Sequence, residues 1–74
     1  MKSEKRERFE RVASKRVEKI LHYLDLLGNC ANRSNYEYTK EDVNKMFREI
    51  QNHLNFIKKK FEIELNKDNQ RFKF

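Results

Sequence analysis

Apart from one short interval, the apolar residues of this chain return every three or four positions, and no proline interrupts them. The only glycine, Gly28, stands inside that interval. A period of three to four is the mark of an amphipathic helix, and a break at a glycine is where such a helix stops. The sequence therefore predicts an all-α protein of two helices.

The first helix is expected over about residues 3–27, where Phe9, Ala13, Val17, Ile20, Leu24 and Leu27 form a continuous stripe. Gly28 follows at once, at the position where a left-handed residue commonly ends a helix, and Asn29 tolerates the same geometry. The second helix opens at TKED. Thr39 is the expected N-cap and Asp42, three residues on, supplies a short-armed capping box. Tyr38 and Val43 hold the two positions of a hydrophobic staple. Val43, Phe47, Ile50, Leu54, Ile57 and Phe61 then make the second stripe, so the helix is expected over about residues 40–66. A frayed basic tail, residues 67–74, completes a single 1–74 domain.

Folding the chain back at the break brings the stripes into register: Leu24 faces Val43, Ile20 faces Phe47, Val17 faces Ile50, and small Ala13 faces larger Leu54. The expected architecture is an antiparallel two-helix hairpin. Val12, Leu21, Tyr23, Leu26, Met46, Phe56 and Ile63 are not used by that seam. A chain of 74 residues has little surface to bury. The spare residues, with Leu21, Phe56 and Ile63 as the dimer face, suggest that two hairpins pair as a homodimeric four-helix bundle. A monomer that docks on another protein is the alternative.

The net charge of +6 favours an acidic partner, and it is unevenly distributed. Residues 1–19 hold eight basic against four acidic residues, and residues 58–74 hold six against three. The middle, residues 20–57, holds four against five. In an antiparallel hairpin the open end is then basic. Arg8, Arg11, Lys15 and Lys19 share a helix face by their spacing, and with Lys58, Lys59 and Lys60 they are the candidate nucleic-acid contacts. A solvated helix surface, softened by pairs such as Glu4–Arg8 and Glu7–Arg11, is the structural alternative for these residues.

Catalytic chemistry is not encoded in any recognisable spacing. His22, His53 and the lone Cys30 form no metal-ligand pattern, and one glycine cannot make a phosphate loop. No catalytic residue, metal or cofactor is expected, and the protein is read as a non-enzyme. No apolar run reaches the roughly 18 residues that a membrane span needs. The N-terminal MKSEKRERFE lacks the apolar segment of a secretory signal, so a cytoplasmic protein with no membrane partner is expected.

The interval between the helices, residues 28–39, is the most distinctive stretch. Its asparagines and serine can turn the backbone on themselves, which predicts an ordered loop. Tyr36 and Tyr38 alternate, so one ring can pack while the other faces outward. Arg33, Asn35, Tyr36 and Tyr38 are the candidate protein-binding residues, and a loop that merely closes the bundle is the structural alternative.

RVEKI at residues 16–20 and LLGNCANRSNYEYTKEDVNKMF at residues 26–47 resemble a group of small proteins encoded by bacteria, prophages and other mobile elements. The shared segment runs LGNxxNRSNYxYTxEDV. The resemblance carries over no activity and no functional residue; it implies a bacterial or phage cytoplasmic accessory protein. The residues from Lys58 onward fall outside it. The expected function is a small binding protein that regulates or inhibits a nucleic-acid-processing machine of the host, such as a CRISPR effector or a polymerase. Its partner would be a host protein or ribonucleoprotein. The alternatives are a DNA- or RNA-binding accessory factor acting through the basic open end, and a structural helical module of a larger assembly.

Overall fold

The computed structural model describes residues 3–67. It holds two helices, α1 (Glu4–Asn29) and α2 (Lys40–Lys67), and no strand among the described residues. The protein is all-α, as the periodicity predicts. The chain divides into two compact units, Met1–Glu37 and Tyr38–Phe74. The expected tail lies outside the described residues except for Lys67, which belongs to α2.

In the first unit, Ser3 caps α1. Its Oγ accepts a hydrogen bond from the Arg6 backbone N–H at 3.1 Å, and its carbonyl accepts from the Glu7 N–H at 3.0 Å. Two of the first turn's orphan donors are thereby satisfied. Glu4 and Glu7 stand in that turn, where negative charge opposes the positive end of the helix dipole. The expected Glu4–Arg8 and Glu7–Arg11 pairs are not among the ion pairs of the described residues. Instead Arg6 Nε donates to Glu10 Oε1 at 3.1 Å. The pair is exposed and contributes little to stability.

The C-terminal end of α1 departs from the sequence expectation. Gly28 does not end the helix in a left-handed conformation. The helix continues through it to Asn29, and Cys30 is the cap with φ −71° and ψ −7°. No described residue has positive φ. The physical reason is that the last turn tightens rather than reverses. Cys30 N–H donates to the Leu27 carbonyl at 2.9 Å, Ala31 N–H to Gly28 at 3.1 Å, and Asn32 N–H to Asn29 at 3.4 Å. These three-residue bonds satisfy the terminal carbonyls that a left-handed cap would otherwise serve.

The second unit opens on the predicted cap. Thr39 N–H donates to Asp42 Oδ2 at 2.9 Å, and Asp42 N–H donates back to Thr39 Oγ1 at 3.1 Å. This is the reciprocal capping box, closed by an aspartate. The Asp42 carboxyl is held below its ordinary value of 3.8, first by the Thr39 N–H and then by the Thr39 hydroxyl, against an opposing desolvation and with a lesser contribution from Lys45. Tyr38 and Val43 are both half-buried. The helix runs to Lys67, whose Nζ lies 2.9 Å from Glu64 Oε1.

Among the described residues none is buried. A single amphipathic helix cannot cover its own apolar stripe, so Ile20 in α1 remains 58% exposed and Leu54 in α2 61% exposed. Leu65, which the sequence reading leaves out of the second stripe, follows Phe61 by four residues and extends it. No helix among the described residues is long and apolar enough to cross a membrane.

Candidate binding surfaces

Three groups of residues were expected to bind partners, and the helices arrange each of them differently. Residues of an α-helix advance by about 100° each, so Arg8, Arg11, Lys15 and Lys19 fall within an arc of about 80°. That arc lies on the side of α1 away from the apolar stripe, and all four residues are exposed. They form one basic face, interleaved with Glu4 and Glu18.

The lysine run of α2 does not form such a face. Lys58, Lys59 and Lys60 are consecutive helical residues, so they point in three directions around the axis. Lys58 stands beside the apolar stripe. Lys59 and Lys60 stand on the far side of the helix, to either side of Phe56 and Ile63. Those two apolar residues, one heptad apart, lie within about 20° of each other and about 150° from the middle of the stripe. The Lys60 ammonium sits 5.4 Å from the centroid of the Phe56 ring. The His53 ring lies 6.2 Å from Phe56, tilted by 40°. Phe56 itself is 59% exposed. Leu21, the third expected dimer residue, belongs to α1 and borders its stripe next to Val17. Met46 likewise borders the stripe of α2.

Asn32 organises the connection between the helices. Its side-chain Oδ1 accepts the Ser34 N–H at 3.0 Å, an Asx-turn. Its carbonyl accepts both the Asn35 N–H at 3.2 Å and the Tyr36 N–H at 3.0 Å. Arg33, Asn35 and Tyr36 are therefore presented by a turn wound on one asparagine, all three exposed. Tyr36 is 52% exposed, and Tyr38, in the second unit, is half-buried. The sequence signal for Asn32 was the general propensity of Asx residues to turn the chain; it did not single out this asparagine from Asn29 and Asn35.

Cys30 is a free, exposed thiol whose Sγ lies 3.9 Å from the Leu26 carbonyl. Among the described residues, no group of three His, Cys, Asp or Glu side chains could hold a metal ion. Compared with known protein families, curated proteins and solved structures, the chain matches none.

Proposed function

We propose that this chain is a non-enzymatic binding protein that regulates or inhibits a nucleic-acid-processing machine of a bacterial host by occupying part of its surface. In this reading α1 and α2 close as an antiparallel hairpin, and two hairpins pair as a four-helix bundle. The turn around Asn32 is then the contact with the partner. The observation that carries the reading is the pair of continuous apolar stripes, each left exposed by its own helix. Apolar surface of that extent is stable in water only when something covers it. A connection of ten residues, 30–39, is long enough for the two stripes to cover each other. The ordered turn supports the second half of the reading. Arginine and tyrosine held on a rigid turn lose little entropy on binding, and both are enriched among residues that dominate interfaces.

Two measurements test the two halves separately. With Cys30→Ser as background, Ala13→Cys and Leu54→Cys together should form an intramolecular disulfide under mild oxidation if the antiparallel register holds. Failure of that pair, with crosslinking of Ala13→Cys to Val43→Cys instead, would overturn the register. Capture from bacterial lysate should retain a partner after nuclease treatment and at raised salt, because an apolar interface does not depend on counterion release. Replacing Arg33 and Tyr36 by alanine should abolish that capture without loss of helix content. Capture that vanishes with nuclease, or that ignores the loop replacement, would overturn the assignment.

A further inference from the structure

The face of α2 opposite its stripe holds apolar residues that the stripe does not explain. From His53 to Ile63 it presents His53, Phe56, Lys59, Lys60 and Ile63, and no acidic residue lies among them. Glu49, one turn before His53, shares that side of the helix, and Glu62 and Glu64 stand on its flanks. Farther along, Lys67 is engaged by Glu64, so the free positive charge concentrates around Phe56.

We propose that this face binds single-stranded nucleic acid, with bases stacked on Phe56 and His53 and phosphates held by Lys59 and Lys60. Sequence-tolerant single-strand sites combine aromatic rings, on which unstacked bases lie, with cations that follow the backbone. Here both components occupy adjacent helical turns. His53 and Phe56 are separated by three residues with their rings 6.2 Å apart, so two aromatic planes stand side by side. Lys59 and Lys60 follow Phe56 by three and four residues, one turn of about 5.4 Å along the axis. A base on Phe56 therefore has its own phosphate within reach of either ammonium. The Lys60 ammonium lies 5.4 Å from the Phe56 centroid, within cation–π distance of the ring. It needs only a change of side-chain torsion to meet a phosphate instead.

Charge decides against a second copy of the chain as the occupant. A two-fold pairing of this face centred on Lys59 and Lys60 would bring those lysines of one copy against the same residues of the other. Only Phe56 and Ile63 would supply apolar contact, and like charges across an interface oppose its formation. An anion removes that difficulty. A duplex is disfavoured because its bases are stacked inside and offer no face to Phe56. This inference goes beyond the hairpin reading and stands on α2 alone; Phe56 lies outside the stripe that the hairpin would cover.

The full chain is titrated into a fluorescently labelled oligothymidylate, with anisotropy read at several salt concentrations. Binding should weaken as salt rises, with each lysine contact contributing about 0.7 to the logarithmic salt slope. Lys59→Gln and Lys60→Gln should each flatten the slope by about that amount. Phe56→Ala should weaken binding by roughly tenfold while leaving the slope unchanged, and Phe56→Trp should restore it. Circular dichroism of each variant checks that helix content is kept, and light scattering of the same samples reports the hairpin's assembly independently. Equal affinity for duplex DNA, or indifference to Phe56→Ala, overturns the proposal. So does a chain that leaves oligothymidylate free while binding anionic vesicles. A dimer that Phe56→Ala dissociates, with no oligonucleotide bound, overturns it in favour of self-association.

Discussion

Replacing Gly28 by alanine gives opposite results depending on how α1 ends. In the structure Gly28 is a right-handed helical residue, the last but one of α1. A Cβ built on it meets no atom within 4 Å. Steric cost is therefore absent, and the substitution acts through backbone entropy. Glycine in a helix interior is about 1 kcal/mol less favourable than alanine. Gly28 is close to the helix end, where fraying discounts the gain, so a stabilisation of about 0.5–1 kcal/mol is expected. Had Gly28 been the left-handed cap that its position suggests, alanine would have cost about 1–2 kcal/mol.

The two readings thus differ in sign, which is easier to measure than magnitude. Thermal melts followed by circular dichroism, at matched protein concentration, should show Gly28→Ala melting about 2–8 °C higher than the natural chain. Helix content should rise slightly as well. Chemical synthesis allows a sharper control, because D-alanine prefers the left-handed region that L-alanine avoids. D-alanine at position 28 should lower the melting temperature. A chain stabilised by D-alanine and destabilised by L-alanine at this position would refute the tightened exit of α1 and restore the left-handed cap.

Other perturbations probe the remaining elements. Thr39→Ala removes the acceptor for the Asp42 N–H and should cost on the order of 1 kcal/mol in a denaturant titration. Ile20→Ala or Phe47→Ala should cost roughly 2–5 kcal/mol if the stripes are packed together, and no more than the cap change if they are not. Because the folded cap favours the Asp42 carboxylate, its stabilisation is complete above the ordinary value of 3.8 and is lost as pH falls through the lowered one. Asp42→Asn should therefore make helix content less sensitive to acidification below about pH 4 than it is in the natural chain, as read by circular dichroism. Asn32→Ala deletes the Asx-turn to Ser34 and should broaden the amide resonances of residues 33–36 while α1 keeps its helix content.

The elements that sequence reasoning located are those whose signals are local and directional. Thr39 and Asp42 name their own hydrogen bonds, since a capping box requires those residue types at that spacing, and the structure forms both bonds. The two stripes are equally explicit, because a period of three to four has no other structural meaning over so many turns. Leu65 fitted the same rule and was visible four residues after Phe61. The exit of α1 was not legible. A helix that ends by tightening its last turn asks for no special residue, as Cys30 at φ −71° illustrates, so it leaves no mark in the sequence. Gly28 carried a strong statistical signal for a conformation that it does not adopt.

Adjacency along the chain is a poor guide to adjacency around a helix, and the candidate groups of α2 illustrate it. Lys58, Lys59 and Lys60 stand out as a run, yet α2 turns them to three sides. Phe56 and Ile63 stand out as spare apolar residues and suggest a self-pairing face until the two lysines beside them are placed. Once the rotation of about 100° per residue is applied, Lys59, Lys60 and the apolar pair fall on one mixed face, and Lys58 is left beside the stripe. A mixed face has different physics from either part. Apolar residues alone invite a like surface, and lysines alone invite any anion. An exposed ring with an ammonium 5.4 Å from its centroid selects a ligand that is flat, aromatic and negatively charged within one helical turn. Single-stranded nucleic acid has that combination in every nucleotide, because a base provides the plane and its phosphate the charge.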